Sequence, residues 1–398
     1  MANTPSKKER SRRLARVAPI IRGLLAEQTS DADLPYRPVI LRSLADKKAV
    51  DFAEARGKAA RCPVQQVDTL GPPLFLGAID TARPPEEIRR ELTDAISDHA
   101  GKFGAKPTVI CIRGLGVLYL ERRDRGRSAD MPLRNKVAVV TGSAGAIGYG
   151  ICKALLEKGC FLAATDLAGK KLDALAADLK EIGGDRVIGV PIDVTDGRCV
   201  TEGLETIVGT WGGIDILVAN AGIAMVAHLK EMDLEAFRRL EKVNIEGTLL
   251  TLREAARLLI AQGTGGDIVI ISTKNVPSPG AGFGAYSATK AASHQLGRIA
   301  SIELAQHGIR VNMVAPDAVF SEGKYKSGLW AQIGPDRMRT RGLDEKGLQE
   351  YYRKRNLLKI QVTGRHVANA VLFLVTRQTP TTGATIPVDG GLPDATPR

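Results

Sequence analysis

Three glycines set the terms for this chain: Gly142, Gly145 and Gly148 follow the β-branched run Lys136-Val-Ala-Val-Val-Thr141 and lead into a helical pattern over residues 149–158. A second apolar run occupies residues 160–165, so the segment reads strand, tight turn, helix, strand. Glycines in such a turn remove the side chains that would keep a pyrophosphate from the backbone, and the helix N-terminus behind them favours negative charge. The turn Thr141-Gly-Ser-Ala-Gly-Ala-Ile147-Gly148 is therefore read as the phosphate-binding corner of a βαβ dinucleotide site.

The alternation continues, with strand-like stretches at residues 187–190, 214–219, 267–272 and 310–315 separated by helical ones. That order predicts an α/β fold, a doubly wound parallel sheet of Rossmann type with helices on both faces and ligands at the strand carboxyl ends. Upstream, residues 14–26 and 85–100 carry helical patterns, and residues 39–41, 108–112 and 117–120 read as strands, predicting a smaller N-terminal α/β domain. The stretch Arg122-Arg-Asp-Arg-Gly-Arg-Ser-Ala-Asp130 has charge without periodicity and reads as a linker. The expected domains are 1–130 and 131–398.

Composition narrows the function classes. A hydrophobic fraction of 44% suits a soluble globular protein, and no apolar run approaches the length that spans a bilayer. The beginning of the sequence has no apolar signal core, and the cytoplasm is the expected compartment. Cys62, Cys111, Cys152, Cys160 and Cys199 are odd in number and scattered, which speaks against a disulfide framework and against a zinc site. His99, His228, His294, His307 and His366 show no metal-site spacing, so no metal is expected. The net charge of +12 invites a nucleic-acid reading, but an aromatic fraction of 4% gives little material for base stacking, and an anionic small substrate accounts for the charge equally well. No nucleic-acid or membrane partner is expected, and the basic run over residues 7–16 is read as a solvated helix start.

Two further features carry chemistry. Asp166 ends the second strand of the βαβ unit, where a carboxylate accepts hydrogen bonds from adenosine ribose hydroxyls and repels a 2′-phosphate; this favours NAD over NADP. Its structural alternative is an N-cap for the following helix. Tyr286-Ser-Ala-Thr-Lys290 places a phenol and an ammonium four residues apart on one helix face, where the cation favours the ionised phenol and fits it to act as a general base.

On these motifs the chain from about Leu133 onward resembles the short-chain dehydrogenase/reductases. Residues 141–148 resemble the family's Thr-Gly-x-x-x-Gly-x-Gly turn, with Ala146 at the middle glycine and Gly145 displaced by one. The resemblance implies roles for other residues. Asp193 and Val194 match the pair that contacts adenine, Asn220-Ala221-Gly222 the segment beside the cofactor, and Pro316, Val319 and Ser321 the nicotinamide loop, in which Asp317 stands where glycine is usual. Thr273 matches the catalytic serine position and Asn244 the asparagine that orders a proton-relay water; Tyr286 and Lys290 complete the set. Strand alternation sends the adjacent Ser272 to the other face. The resemblance also implies a homodimer or homotetramer formed through helices that include the one bearing Tyr286.

Within that family the sequence is similar to the dehydrogenase half of bifunctional class II aldolase/short-chain dehydrogenases, of the rhamnulose-1-phosphate aldolase/lactaldehyde dehydrogenase type. This similarity rests on Ser272-Thr-Lys-Asn275, Pro279-Gly-Ala-Gly-Phe-Gly-Ala-Tyr286, Ala315-Pro-Asp-Ala-Val-Phe320, residues 351–358 and Thr382-Gly-Ala-Thr-Ile-Pro-Val-Asp-Gly-Gly391. It implies polyols, hydroxyaldehydes or sugar phosphates as substrates, with sorbitol 6-phosphate one candidate. Lys274, Asn275 and Asp317 stand within reach of polar substrate groups, and the cation-rich segment 317–356 is expected to cover them. Val17-Ala-Pro-Ile-Ile-Arg-Gly-Leu-Leu25, Pro38-Val-Ile-Leu-Arg42 and Ile112-Arg-Gly-Leu-Gly-Val117 resemble parts of the aldolase half, whose zinc histidines have no counterpart here besides His99. Residues 1–130 are therefore expected to be a truncated, noncatalytic remnant. The competing functions are an NADPH-dependent carbonyl or oxoacyl reductase and, from another class, a noncatalytic dinucleotide sensor or nucleic-acid binder.

Overall fold

The computed structural model describes residues 5–57, 62–64, 71–121 and 131–392. The expected linker at 122–130 lies outside them. The chain forms two compact units, one of Met1–Arg127, Leu204–Asp215 and Arg257–Gly265, the other of Ser128–Gly203, Ile216–Ala256 and Gly266–Arg398.

The second unit is built on seven strands: β1 (Val137–Val140), β2 (Phe161–Asp166), β3 (Val187–Pro191), β4 (Ile216–Ala219), β5 (Gly266–Ile271), β6 (Ile309–Pro316) and β7 (Thr385–Val388). All pairings are parallel, in the order β7-β6-β5-β4-β1-β2-β3. The expected doubly wound sheet is present. Every residue of β1, β4 and β5 is buried, which is why these strands read as continuous apolar runs; helices cover both faces and leave no polar side to alternate with. The edge strand β7 alternates between exposed and half-buried residues and holds Pro387 where one missing donor is tolerated. Its short Thr-Ile-Pro-Val run gave no strand signal in the sequence.

The helices that matter to the site are α1 (Ala146–Glu157), α2 (Lys170–Gly183), α3 (Gly197–Trp211), α4 (Leu234–Glu241), α5 (Gly247–Gln262), α6 (Gly284–Glu303), α7 (Gly328–Arg341), α8 (Glu345–Arg355) and α9 (Gly364–Val375). A five-residue π-helical turn, Lys242–Glu246, stands between α4 and α5. The main core of the unit joins Ala138 and Val140 of β1 and Leu162 of β2 to Ile151 and Leu155 of α1 and Val367 and Val371 of α9.

The first unit carries a four-stranded sheet in the order Leu41–Leu44, Gly116–Leu120, Val109–Ile112, Leu74–Leu76, with only the last pairing parallel. Alternation sorts its side chains into two cores. Ile110, Ile112 and Leu118 pack with Val17 and Ile21 of the helix Lys7–Leu25 and with Ile88 and Leu92 of the helix Pro85–Phe103. Val109, Cys111 and Val117 pack with Ala49, Phe52 and Ala53 of the helix Lys47–Glu54.

The first helix runs over Lys7–Leu25, capped by the Ser6 hydroxyl, so the basic run read as a solvated helix start is the exposed beginning of the helix whose apolar pattern shows from residue 14. The strand placed at 39–41 runs over Leu41–Leu44, and the helix Lys47–Glu54, capped by Asp46, had not been anticipated.

At the amino ends of β5 and β6, buried Asp267 accepts hydrogen bonds from Arg310 at 2.7 and 2.9 Å and from Arg377 at 3.1 Å, with the Lys136 ammonium 3.6 Å away. This end of the sheet is opposite the one that holds the site. Asp267→Ala strands three cations and is expected to lower stability by about 3–5 kcal/mol. Dinucleotide affinity should remain unchanged; urea unfolding and a binding titration measure the two separately.

Candidate active site

The carboxyl ends of β1, β2, β4, β5 and β6 open into a cavity of about 1390 Å³. The glycine-rich turn forms one wall. A Cβ at Gly142 would lie 2.7 Å from the Ala221 Cα, and one at Gly148 would lie 2.4 Å from the Gly142 carbonyl oxygen, so neither position accepts a side chain without moving backbone. At Gly145, the residue before α1, a Cβ would meet only the Gly142 carbonyl oxygen, at 3.9 Å, an ordinary contact. Ala146 is buried as the first residue of α1, so the family's displaced glycine is accommodated by a methyl group directed into the core.

Hydrogen bonds tie this turn to the middle of the sheet. The Thr141 hydroxyl accepts from the backbone N–H groups of Asn220 and Ala221, each at 3.0 Å, and the Asn220 amide donates to the carbonyls of Thr141 and Gly142 at 2.9 and 2.8 Å. Thr141 is thus behind the cavity wall, while Gly142, Gly145, Ile147, Gly148, Asn220, Ala221 and Gly222 line it. Asp166 lines it too, its carboxylate fixed by the N–H groups of Ala144 at 2.9 Å and Leu167 at 2.8 Å. The residue before α2 is Gly169, with no side-chain cap, so Asp166 is not the N-cap of that helix. Asp193 holds Thr195 through its N–H and hydroxyl at 2.9 and 2.7 Å, and Val194 continues the wall. Pro316, Asp317 and Val319 close the far side. Together these residues leave open backbone for a pyrophosphate and a fixed carboxylate for a ribose, which fits a dinucleotide.

Tyr286 and Lys290 share the buried face of α6. Burial pushes the Tyr286 phenol up to about 12, and the neighbouring Thr273 side chain acts in the opposite direction. Burial pushes the Lys290 ammonium down to about 8, and its Nζ donates to the Ile271 carbonyl at 2.8 Å. Burial disfavours charge on both members of the pair, and Thr273 favours the ionised phenol. The Ser272 hydroxyl lies 2.9 Å from Nδ1 of His294, on the same helix as Tyr286 and Lys290.

Asn244 lies in the π-helical turn, fully buried. Its Oδ1 accepts from the Ile223 N–H at 3.0 Å, and its Nδ2 donates to the Ile223 carbonyl at 2.9 Å and to the Thr289 hydroxyl at 3.0 Å. The side chain expected to hold a water thus braces the loop after Gly222 against the catalytic helix. Next to the Tyr286 end, the cavity is lined by Lys274, Asn275, Asp317, Phe283, Trp330, Arg337, Tyr352 and Arg355. The roles of Phe283, Trp330 and Tyr352 had no local signal, since single aromatics in irregular segments carry no periodicity.

The comparisons agree with this geometry. Residues 136–330 match the family model for short chain dehydrogenases. The chain is 37% identical over 207 residues to a sorbitol dehydrogenase of Cereibacter sphaeroides, covering 51% of this chain and 77% of that one. It is 34% identical over 265 residues to the uncharacterized oxidoreductase YuxG of Bacillus subtilis (strain 168), covering 66% of this chain but only 38% of that protein. Among solved structures, sorbitol-6-phosphate 2-dehydrogenase SrlD from Erwinia amylovora aligns with a TM-score of 0.59 at 28% identity, over 64% of this chain and 98% of that one.

A parallel sheet with a glycine-rich corner and a buried Tyr/Lys/Thr constellation defines a dinucleotide-dependent oxidoreductase. The chain belongs to the short-chain dehydrogenase family, whose members use a nicotinamide dinucleotide. No helix among the described residues is long and apolar enough to cross a membrane.

Gly148→Ala drives a methyl group to within 2.4 Å of the Gly142 carbonyl oxygen and so displaces the turn. Dinucleotide affinity is expected to fall at least about tenfold, a loss of about 1.4 kcal/mol, in a calorimetric or fluorescence titration.

Proposed function

We propose that the protein oxidises a primary or secondary alcohol in a small hydroxylated substrate, a polyol, sugar phosphate or hydroxyaldehyde, with NAD as acceptor. The observation that carries the reading is that Tyr286, Lys290 and Thr273 are all buried and line the same cavity, with the Thr273 side chain favouring the ionised phenol. In that arrangement Tyr286 receives the alcohol proton, and Thr273 orients the substrate oxygen while stabilising the phenolate. Lys290 holds the cofactor ribose, and Asn244 keeps the loop at Gly222 and Ile223 in register with the catalytic helix. A bound nicotinamide supplies the hydride acceptor, and the alcohol carbon that loses the hydride becomes a carbonyl. The resemblance to a sorbitol dehydrogenase and a sorbitol-6-phosphate 2-dehydrogenase supports a polyol or its phosphate, sorbitol 6-phosphate and lactaldehyde being the first to try.

Asp166 supports NAD, because a carboxylate fixed by two backbone N–H groups repels a 2′-phosphate at the same place. Lys171, which lines the cavity, is the observation on the side of an NADPH-dependent carbonyl reductase. We further infer that residues 1–130 are a noncatalytic remnant of an aldolase-like domain: both ring nitrogens of His99 face backbone carbonyls, Ala105 at 3.2 Å and Pro72 at 2.9 Å. Assembly as a homodimer or homotetramer through α6 is supported by its exposed Ile299 and Ile302.

Tyr286→Phe is expected to abolish alcohol-dependent NADH formation while leaving NAD binding intact; undiminished turnover overturns the assignment. Thr273→Val removes the bond that favours the phenolate, so the phenol's proton affinity rises and the alkaline-rising limb of kcat/KM moves to higher pH. Parallel titrations with NAD and NADP should show NAD binding tighter, and Asp166→Ser should narrow or reverse that order.

A further inference from the structure

Three cations and two carboxylates meet beside the catalytic phenol. Lys274, the residue after Thr273, feels the charges of Arg355, Asp317, Arg337 and Asp389. Two of these groups cancel. Arg355 grips Asp317 with both arms of its guanidinium, Nε at 3.2 Å and Nη2 in close contact, and its plane lies 4.2 Å from the Tyr352 ring centroid. That pair is covered and committed, and it joins the end of β6 to α8.

Lys274 and Arg337 are not matched in the same way. Lys274 donates only a 3.2 Å hydrogen bond to the Ser278 carbonyl, and its ammonium is pushed down by burial first and then by the neighbouring guanidinium of Arg355. Arg337 lies over the Phe283 ring at 5.0 Å, with its Nε buried and without a hydrogen-bond partner among the described residues. The Phe283 ring in turn meets Tyr286 edge-on, with centroids 6.2 Å apart. Between them, Asn275 is 6% exposed, lines the same cavity, and has a buried Oδ1 with no partner among the described residues. A partly buried cation without an acceptor costs free energy, and so does a buried carbonyl without a donor; a ligand that brings an oxyanion and a hydroxyl together removes both costs.

We propose that Lys274 and Arg337 form a receptor for an oxyanion carried by the substrate, that Asn275 accepts a hydrogen bond from a substrate hydroxyl next to the reacting one, and that the preferred substrate is therefore an anionic polyol. The inference rests on the dehydrogenase reading in one respect, that the substrate occupies the Tyr286 end of the cavity. Phosphate and carboxylate share the required chemistry. Arg355 serves as a positioning residue, held by Asp317 so that its charge keeps Lys274 directed at the ligand.

The test uses full-length protein with Tyr286→Phe, saturated with NAD, so that binding is read without turnover. Calorimetric titrations compare sorbitol 6-phosphate and gluconate with sorbitol, and glycerol 3-phosphate with glycerol. At least one anionic member is expected to bind ten or more times tighter than its neutral counterpart, and the preferred member tells phosphate from carboxylate. Arg337→Gln and Lys274→Gln should each reduce that preference at least tenfold, Arg337→Lys should retain most of it, and Asn275→Ala should weaken charged and neutral members alike. Raising the salt concentration should shrink the preference in the protein without these substitutions, a readout that does not depend on the substituted chains folding. Equal affinity within every pair, no binding of any anion, or a preference untouched by both glutamine substitutions overturns the proposal. Selective anion binding with no NADH formed from any alcohol by the unsubstituted protein overturns the dehydrogenase reading and leaves the receptor standing. NADH formed equally well from sorbitol and sorbitol 6-phosphate, with equal binding, does the reverse.

Discussion

The contact between Gly142 and Ala221 is the constraint on which the site depends. It brings the corner after β1 against the end of β4 at a distance that no side chain permits, and the Thr141 hydroxyl and Asn220 amide lock the approach with four hydrogen bonds. From Ala221 the chain passes to Gly222, where a Cβ would stand 3.2 Å from Asn244 Oδ1 and 3.3 Å from Lys290 Nζ. Asn244 then reaches Thr289, one residue from Lys290. A short series of backbone approaches and amide hydrogen bonds thus connects the glycine corner to Tyr286 and Lys290, so that both ends of the cavity are positioned by one network.

Electrostatics divide the sheet into two ends. At the amino ends, Asp267 is surrounded by Lys136, Arg310 and Arg377, a buried charge satisfied within the protein. At the carboxyl ends the catalytic pair is held where burial disfavours ions of either sign, raising the phenol and lowering the ammonium. Neither group has a salt-bridge partner among the described residues, and the ammonium, lowered to about 8, is the one held near neutrality. Against that desolvation, the Thr273 side chain is the neighbour that favours the ionised phenol.

Much of this was legible in the sequence because local pattern and global fold agree. Buried parallel strands announce themselves as short apolar runs, the glycine turn has fixed spacing, and Tyr286 and Lys290 lie one helical turn apart. The parts that escaped lack such a pattern. The helix Lys47–Glu54 is eight residues long, β7 is four residues long with a proline, and the network from Asn244 to Ile223 and Thr289 spans elements whose sequence separation hides their proximity. The desolvation of Tyr286 and Lys290 escaped for a different reason: spacing on a helix shows which groups are near, but not which of them is buried.

The substrate end follows another logic from the cofactor end. Strand ends and a glycine corner determine where the dinucleotide lies, and these elements are rigid because their backbones leave no room to move. The cover over Tyr286 comes instead from α7 and α8, where Trp330 stacks on Phe320 with centroids 4.5 Å apart and meets Tyr352 edge-on at 4.8 Å. Aromatic packing of this kind gives the two helices a small core of their own with Leu348, and the Arg355–Asp317 pair attaches it to the end of β6. Asp317 stands where the family usually has glycine, so the attachment point is a residue that the sheet architecture does not itself require. Because the ion pair and the aromatic cluster act on the cover and not on the sheet, substitutions there can alter which substrate is admitted without disturbing the sheet-end geometry.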